Sequence, residues 1–189
     1  MKKIITAILA LSLVLALASC GADLDTLEAY ITAIDATNPK EAVIKVVAET
    51  SLGALNSNVN VKYSEDGSSV IEYSYEKFNA IGEGDGVISV VSGKVTCDKD
   101  GKYSGSLTGN VETATQIKLY LDANLLKNLN FDDGACGALV EAANTEAVLG
   151  VAIGSDVNLL LTQNEGKIVT VTVSYQTEAG KVTITSEYK

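Results

Sequence analysis

The stretch Asn158–Tyr188, NLLLTQNEGKIVTVTVSYQTEAGKVTITSEY, decides how the rest of the chain is read. Three runs, Asn158 to Thr162, Lys167 to Thr177 and Lys181 to Tyr188, are parted by the turns Asn164-Glu165-Gly166 and Glu178-Ala179-Gly180. Hairpin connections this short force antiparallel pairing, because a parallel crossover needs a dozen residues or more. The chain therefore ends in a three-strand meander, and the segments upstream repeat its texture.

Working outward, Val59, Val61 and Tyr63 alternate with Asn58, Asn60 and Lys62, the period-2 pattern of a half-buried strand. Glu65-Asp66-Gly67 is a turn, and Val70 to Phe78 (VIEYSYEKF) returns as its partner with Ile71, Tyr73 and Tyr75 on one face. Asn79 to Gly86 (NAIGEGDG) reads as a loop. Val87 to Cys97 is the next strand, with Val87, Val91, Val95 and Cys97 sharing a face, and Asp100-Gly101 turns the chain toward Tyr103 to Leu107. Thr113 to Leu121 (TATQIKLYL) is expected to be a further strand with Ile117, Leu119 and Leu121 aligned, and the β-branched run Ala42 to Thr50 (AVIKVVAET) an earlier one. Leu125 to Gly137 reads as loop and Leu139 to Ala142 as a short strand.

Two segments depart from this pattern. Between Asp23 and Ala36 the residues Leu24, Leu27, Tyr30, Ile31 and Ile34 follow helical spacing, Asp23 and Asp25 suit the helix N-terminus, and Asn38-Pro39 ends it. Later, Asn144 reads as the N-cap of a short helix with Glu146 in its first turn and Gly150 just past its end. The expected fold is α+β and mainly antiparallel: one strongly curved sheet or open half-barrel, with an N-terminal helix and a short late helix. A β-sandwich or a closed β-barrel is the alternative.

The first twenty residues carry a different message. Lys2 and Lys3 precede an apolar run from Ile4 to about Ala16, which is shorter than the ~20 residues a membrane-spanning helix needs. It suits the core of a secretory signal, and Leu17-Ala18-Ser19-Cys20 after it resembles the lipobox of bacterial lipoproteins. That resemblance implies a diacylglyceryl group on the Cys20 thiol, cleavage of residues 1–19, and attachment to the outer side of the cell membrane; two acyl chains hold where one is marginal. Ordinary secretory cleavage near Ser19 is the alternative. Residues 20–189 then form a single strand-rich extracytoplasmic domain, long enough to bury a core.

Composition narrows the function. The 189 residues carry a formal net charge of −10, every basic residue is lysine, and there is no histidine or tryptophan. A nucleic-acid interface needs a basic stripe, and adhesion to anionic lipid needs a polybasic patch; both are excluded. Without histidine, a Ser-His-Asp triad, a Cys-His pair and a His-containing zinc site are excluded too. No cofactor or metal is expected, and the chain reads as non-catalytic.

The order of lipobox, N-terminal helix, long antiparallel run, late helix and final meander resembles LolA-like and LppX/LprG-like lipoproteins over most of the chain. Those families fold as an open half-barrel closed on its concave side by helices, which implies a hydrophobic cavity for an acyl chain or a lipoprotein's lipid. This chain departs from them in having no methionine after Met1 and, besides its tyrosines, only Phe78 and Phe131 as aromatics. Tyr73–Asn79 (YSYEKFN) and Glu146–Gly150 (EAVLG) are similar to segments of lipoproteins from anaerobic gut bacteria, a likeness that implies no activity.

Candidate site residues are few. Cys97 and Cys136 remain after lipidation, an even number in an oxidising compartment, and are a candidate disulfide; two small buried residues is the other reading. Gly82-Glu83-Gly84-Asp85-Gly86 lacks the lysine and helix of a phosphate cradle and reads as an acidic loop, and Asp98-Lys99-Asp100-Gly101 and Asp132-Asp133-Gly134 read as turns rather than calcium ligands. Tyr63, Tyr73 and Tyr75 on neighbouring strands are sheet packing first and the candidate wall of a ligand site second. The expected partners are the membrane, through lipidated Cys20, and a hydrophobic ligand or, alternatively, a protein of the cell envelope.

Overall fold

In the computed structural model, residues 26–81, 85–132 and 134–189 are described. The signal segment with Cys20, the tip Gly82-Glu83-Gly84 of the acidic loop, and Asp133 lie outside them. Nine strands are present among the described residues: β1 (Glu41–Thr50), β2 (Gly53–Tyr63), β3 (Ser69–Ile81), β4 (Asp85–Cys97), β5 (Leu126–Asp132), β6 (Ala135–Val140), β7 (Val157–Asn164), β8 (Lys167–Thr177) and β9 (Gly180–Tyr188). All neighbours pair antiparallel in one sheet of order β4-β3-β2-β1-β9-β8-β7-β6-β5. The chain starts mid-sheet, steps outward to β4, crosses to the far edge at β5, and returns by hairpins until β9 docks beside β1. The two end strands, β4 and β5, do not pair with each other, so the sheet is open rather than a closed barrel or a sandwich.

One face of the sheet carries the core. Across the strands, Tyr73, Val59, Ile44, Ser186, Val171, Leu161 and Cys136 fall in one row of paired residues. The next row runs Val46, Ile184, Val173, Leu159 and Ala138. Because side chains alternate between faces along a strand, this register sends every one of them to the same side. Three helices cover that side. Helix α1 (26–36) buries Leu27, Tyr30 and Ala33, α2 (Gly109–Gln116) buries Val111 and Ala114, and α3 (Thr145–Leu149) buries Thr145, Val148 and Leu149. The outer face carries cross-strand ion pairs, Lys45–Glu187 and Lys62–Glu41 at 3.8 Å, Lys94–Glu72 at 2.9 Å, and Lys127–Glu141. All are solvent-exposed, where a pair contributes at most about 1 kcal/mol.

Four expectations change. Thr113 to Leu121 is not a strand: its first half is the end of α2, an unforeseen helix, and its second half is extended without joining the sheet. The alternation was real, with Ile117, Leu119 and Leu121 packed on the core and Lys118 and Tyr120 exposed, but the partner is a helix end. Lys118 N–H and Tyr120 N–H donate to Leu149 O and Val148 O, both at 2.8 Å, satisfying carbonyls that α3 leaves open at its C-terminus. Leu125 to Gly137 is not loop but most of β5 and β6. Its pattern is hidden by a bulge between Lys127 and Asn130, by Asn128 at φ 51°, and by the small residues of β6. The loop expected at Asn79 to Gly86 is shorter, since the β3–β4 ladder continues through Ala80↔Gly86 and Ile81↔Asp85. Tyr103 to Leu107 forms no strand, only a single bridge between Cys97 and Tyr103. Asn144 does precede α3, without a side-chain capping bond, and Gly150 ends the helix at φ 69°.

Candidate functional site

The helices do not cover the whole inner face. A groove of about 930 Å³ lies between the sheet, the C-terminal end of α1, the turn at Asp98–Gly101, and the end of α2 with the segment that follows it. That volume is at the upper end of the roughly 300–1,000 Å³ usual for small-molecule sites. Its floor is apolar: Ile44, Val61, Ile71 and Ile168 are all buried. A second hollow of about 400 Å³ lies between α1 and Leu119–Asp122.

The walls are pinned by hydrogen bonds. Thr37 Oγ1 donates to Ala33 O at 2.6 Å and accepts from Ile168 N–H at 2.9 Å, tying the end of α1 to the start of β8. Asp98 Oδ1 accepts from the backbone of Asp100 at 3.0 Å and Lys102 at 2.9 Å, so this carboxylate holds the turn in place, as a hairpin reading requires. The charged residues lining the groove, Asp98, Lys99, Asp100 and Lys118, are all exposed at its mouth.

The buried polar side chains among the described residues are Thr145 and Ser186. Thr145 is fully engaged: it donates toward Ala142 O and Ile153 O at 3.1 and 3.2 Å and accepts from Ile153 N–H at 2.8 Å. Ser186 is 5% exposed, lines the groove, and makes no side-chain hydrogen bond among the described residues. At the mouth stand Tyr63, Tyr103 and Tyr188. Loss of solvent, with Tyr188 and then Tyr103 adding to it, pushes the Tyr63 hydroxyl up to about 12. Tyr63 nonetheless keeps 42% of its surface accessible, as befits a residue at the rim. Burial raises Tyr188 as well.

Of the three tyrosines expected to form a wall, only Tyr63 borders this groove. Tyr73 and Tyr75 stack on each other at 6.2 Å and 19°, away from it. Tyr73 lies over Gly93, where a Cβ would collide with its ring. Cys97 and Cys136 are free thiols, on β4 and β6 near opposite ends of the strand order, a poor placement for a bond that needs Cα atoms about 4.4–6.8 Å apart. Cys97 borders the groove, while Cys136 is buried and its thiol is pushed up to about 11 by that burial. No group of three or more His, Cys, Asp or Glu able to hold a metal occurs among the described residues. The residues that sequence reasoning passed over are Ser186, Tyr188, Tyr103 and Ile168. Only Ser186 left a signal: in Val182, Ile184, Ser186 and Tyr188, the inward-facing residues of β9, it is the one without an apolar body.

No family model and no curated protein matches the chain. Among solved structures it is similar to LprF from Mycobacterium bovis, at 12% identity over 85% of this chain and 90% of that one, with a TM-score of 0.40. It is also similar to mFAP1, a redesigned beta barrel bound to DFHBI, at 10% identity over 84% and 99% with a TM-score of 0.24. A dehydratase domain from the CurF module of Curacin polyketide synthase overlaps at 11% identity over 81% and 75%, with a TM-score of 0.24. Overlays this loose carry no chemistry across, and the open-sheet fold rests on this chain's own strand pairing.

Proposed function

We propose that the chain is a non-catalytic, membrane-anchored extracytoplasmic lipoprotein that holds a hydrophobic ligand in the groove on the inner face of its sheet. The groove carries the reading: about 930 Å³ of space with an apolar floor on the core face of the sheet. The lipobox-like Leu17-Ala18-Ser19-Cys20 supports the anchor, and the absence of histidine supports a role without acid–base catalysis at neutral pH. No helix among the described residues is long and apolar enough to cross a membrane; in this reading the anchor is lipid on Cys20.

Growth with a clickable palmitate analogue, followed by native mass spectrometry, tests both parts. The wild-type chain is expected to take up label and the Cys20→Ser variant none; label kept by the variant overturns the anchor. A bound lipid mass, on isolation or after adding lipid, is expected; a groove that stays empty under both conditions overturns the ligand. A protein-interaction role is the second reading, favoured by the outer strand β4. There Val87, Ile88 and Val90 are 51%, 48% and 66% exposed beside a strand edge that no other strand pairs.

A further inference from the structure

Ser186 interrupts an otherwise apolar row. Its paired neighbours are Ile44 on β1 and Val171 on β8, and the row continues through Val59 and Leu161. Burial of a hydroxyl is tolerated when it finds partners, as Thr145 does. Ser186 is 5% exposed against 1% for Thr145, lines the groove, and makes no hydrogen bond among the described residues; since no buried side-chain oxygen there is left unsatisfied, its hydroxyl opens onto the groove. Alanine, smaller and apolar, would meet a need for a small residue under the helices, so the hydroxyl is what serine adds at this position. A hydroxyl that faces a ligand space without a protein partner is a donor and acceptor for the ligand.

The charges say what kind of ligand group it meets. The cations lining the groove are Lys99 and Lys118, both exposed at the mouth, and Lys99 is flanked by Asp98 and Asp100. An ionised carboxylate or phosphate brought to the floor would lose its water with no cation to pair with it. A neutral carbonyl suffers no such penalty and is matched by one hydroxyl donor. We propose that the groove selects neutral acyl esters over free fatty acids, with Ser186 donating to the ester carbonyl and the acyl chain lying across Ile44, Val61 and Ile71. This rests on the ligand-binding reading above.

The test uses the full chain with Cys20→Ser, which carries no acyl group of its own, titrated calorimetrically with 1-monolauroylglycerol and with laurate at pH 8, below their micelle concentrations. The ester is expected to bind at least about tenfold more tightly than laurate. Ser186→Ala is expected to lose about tenfold in ester affinity, to leave laurate unchanged, and to melt no lower than its parent, since it gives up no internal hydrogen bond. Equal affinity for the two lipids, or an ester affinity untouched by Ser186→Ala, overturns the selectivity while leaving the groove a ligand site. Binding of neither lipid overturns the ligand-binding reading itself, and the selectivity with it.

Discussion

Thr145→Val is the sharpest perturbation of this fold, because valine keeps the shape of threonine and removes only the hydroxyl. Thr145 is 1% exposed at the first position of α3. Its Oγ1 accepts from Ile153 N–H at 2.8 Å and donates toward Ala142 O and Ile153 O. Ala142 O keeps a partner in the variant, since it also accepts the backbone N–H of Thr145. The Ile153 N–H does not, and stranding a buried donor costs about 1–3 kcal/mol. Losing the donation to Ile153 O adds about 0.5–1.5 kcal/mol. The expected destabilisation is thus about 1.5–4.5 kcal/mol, which for a domain of this size lowers Tm by about 3–18 °C. Urea unfolding with linear extrapolation reads it directly, as a lower midpoint at unchanged slope. Thr145→Ser keeps the hydroxyl and sheds one methyl, so it is expected to lose about 1 kcal/mol. A valine variant within about 0.5 kcal/mol of the parent, below the usual worth of even one hydrogen bond, refutes the reasoning. So does a serine variant that falls as far as the valine one.

Two further outcomes follow from the backbone and from the tyrosine cluster. Gly150 ends α3 at φ 69°, and a Cβ there would stand 3.4 Å from Lys118 Cβ and 3.5 Å from the Tyr120 ring; Gly150→Ala is expected to lose about 1–2 kcal/mol in the same urea experiment, chiefly from the left-handed conformation. Tyr63 has its folded pKa raised to about 12 against an ordinary 10.0, so the fold favours the neutral phenol. Its contribution to stability is full below pH 10 and lost as pH rises from 10 to 12; Tyr63→Phe is expected to flatten unfolding stability across that window and to remove one tyrosinate equivalent near pH 12 from the ultraviolet titration, and a slope unchanged by the substitution refutes the assignment.

The sheet was legible where one face is apolar and the turn is short. Both conditions hold in β7 to β9, in β2 and β3, and in most of β4, and there register and face follow from alternation alone. They fail at β5 and β6. Asn128 takes a left-handed backbone, a bulge shifts the register, and Gly137 is empty because the Asn130 side chain occupies the space its Cβ would need. None of that leaves a periodic trace. Helix α2 was hidden differently, since its eight residues bury only Val111 and Ala114, too few contacts to outweigh the alternation of Ile117, Leu119 and Leu121 beyond it. The site was legible only in part, because a groove is made by what fails to cover a sheet, and that depends on packing between distant segments. Tyr63 was visible as an inward residue, but Tyr73 and Tyr75, with identical spacing, are taken up by each other and by Gly93.

That lack of cover has a simple geometric origin. Nine strands at about 4.8 Å spacing span nearly 40 Å across the sheet, whereas helices rising 1.5 Å per residue offer about 16 Å from α1, 12 Å from α2 and less from α3. Three short helices leave parts of such a face open, and the remaining cover is uneven. Val148 and Leu149 of α3, both 0% exposed, close one part of it, and the segment Ile117 to Leu121 is drawn to the end of α3 by two hydrogen bonds. Across the same groove α1 is stopped by Asn38-Pro39 and held at Ile168 by Thr37, so it does not extend over Ile44, Val61 and Ile71. An apolar floor left open in this way would ordinarily be a liability in water. Here it is rimmed by Tyr63, Tyr103 and Tyr188 and holds Ser186, and in the proposed reading a ligand supplies the missing cover.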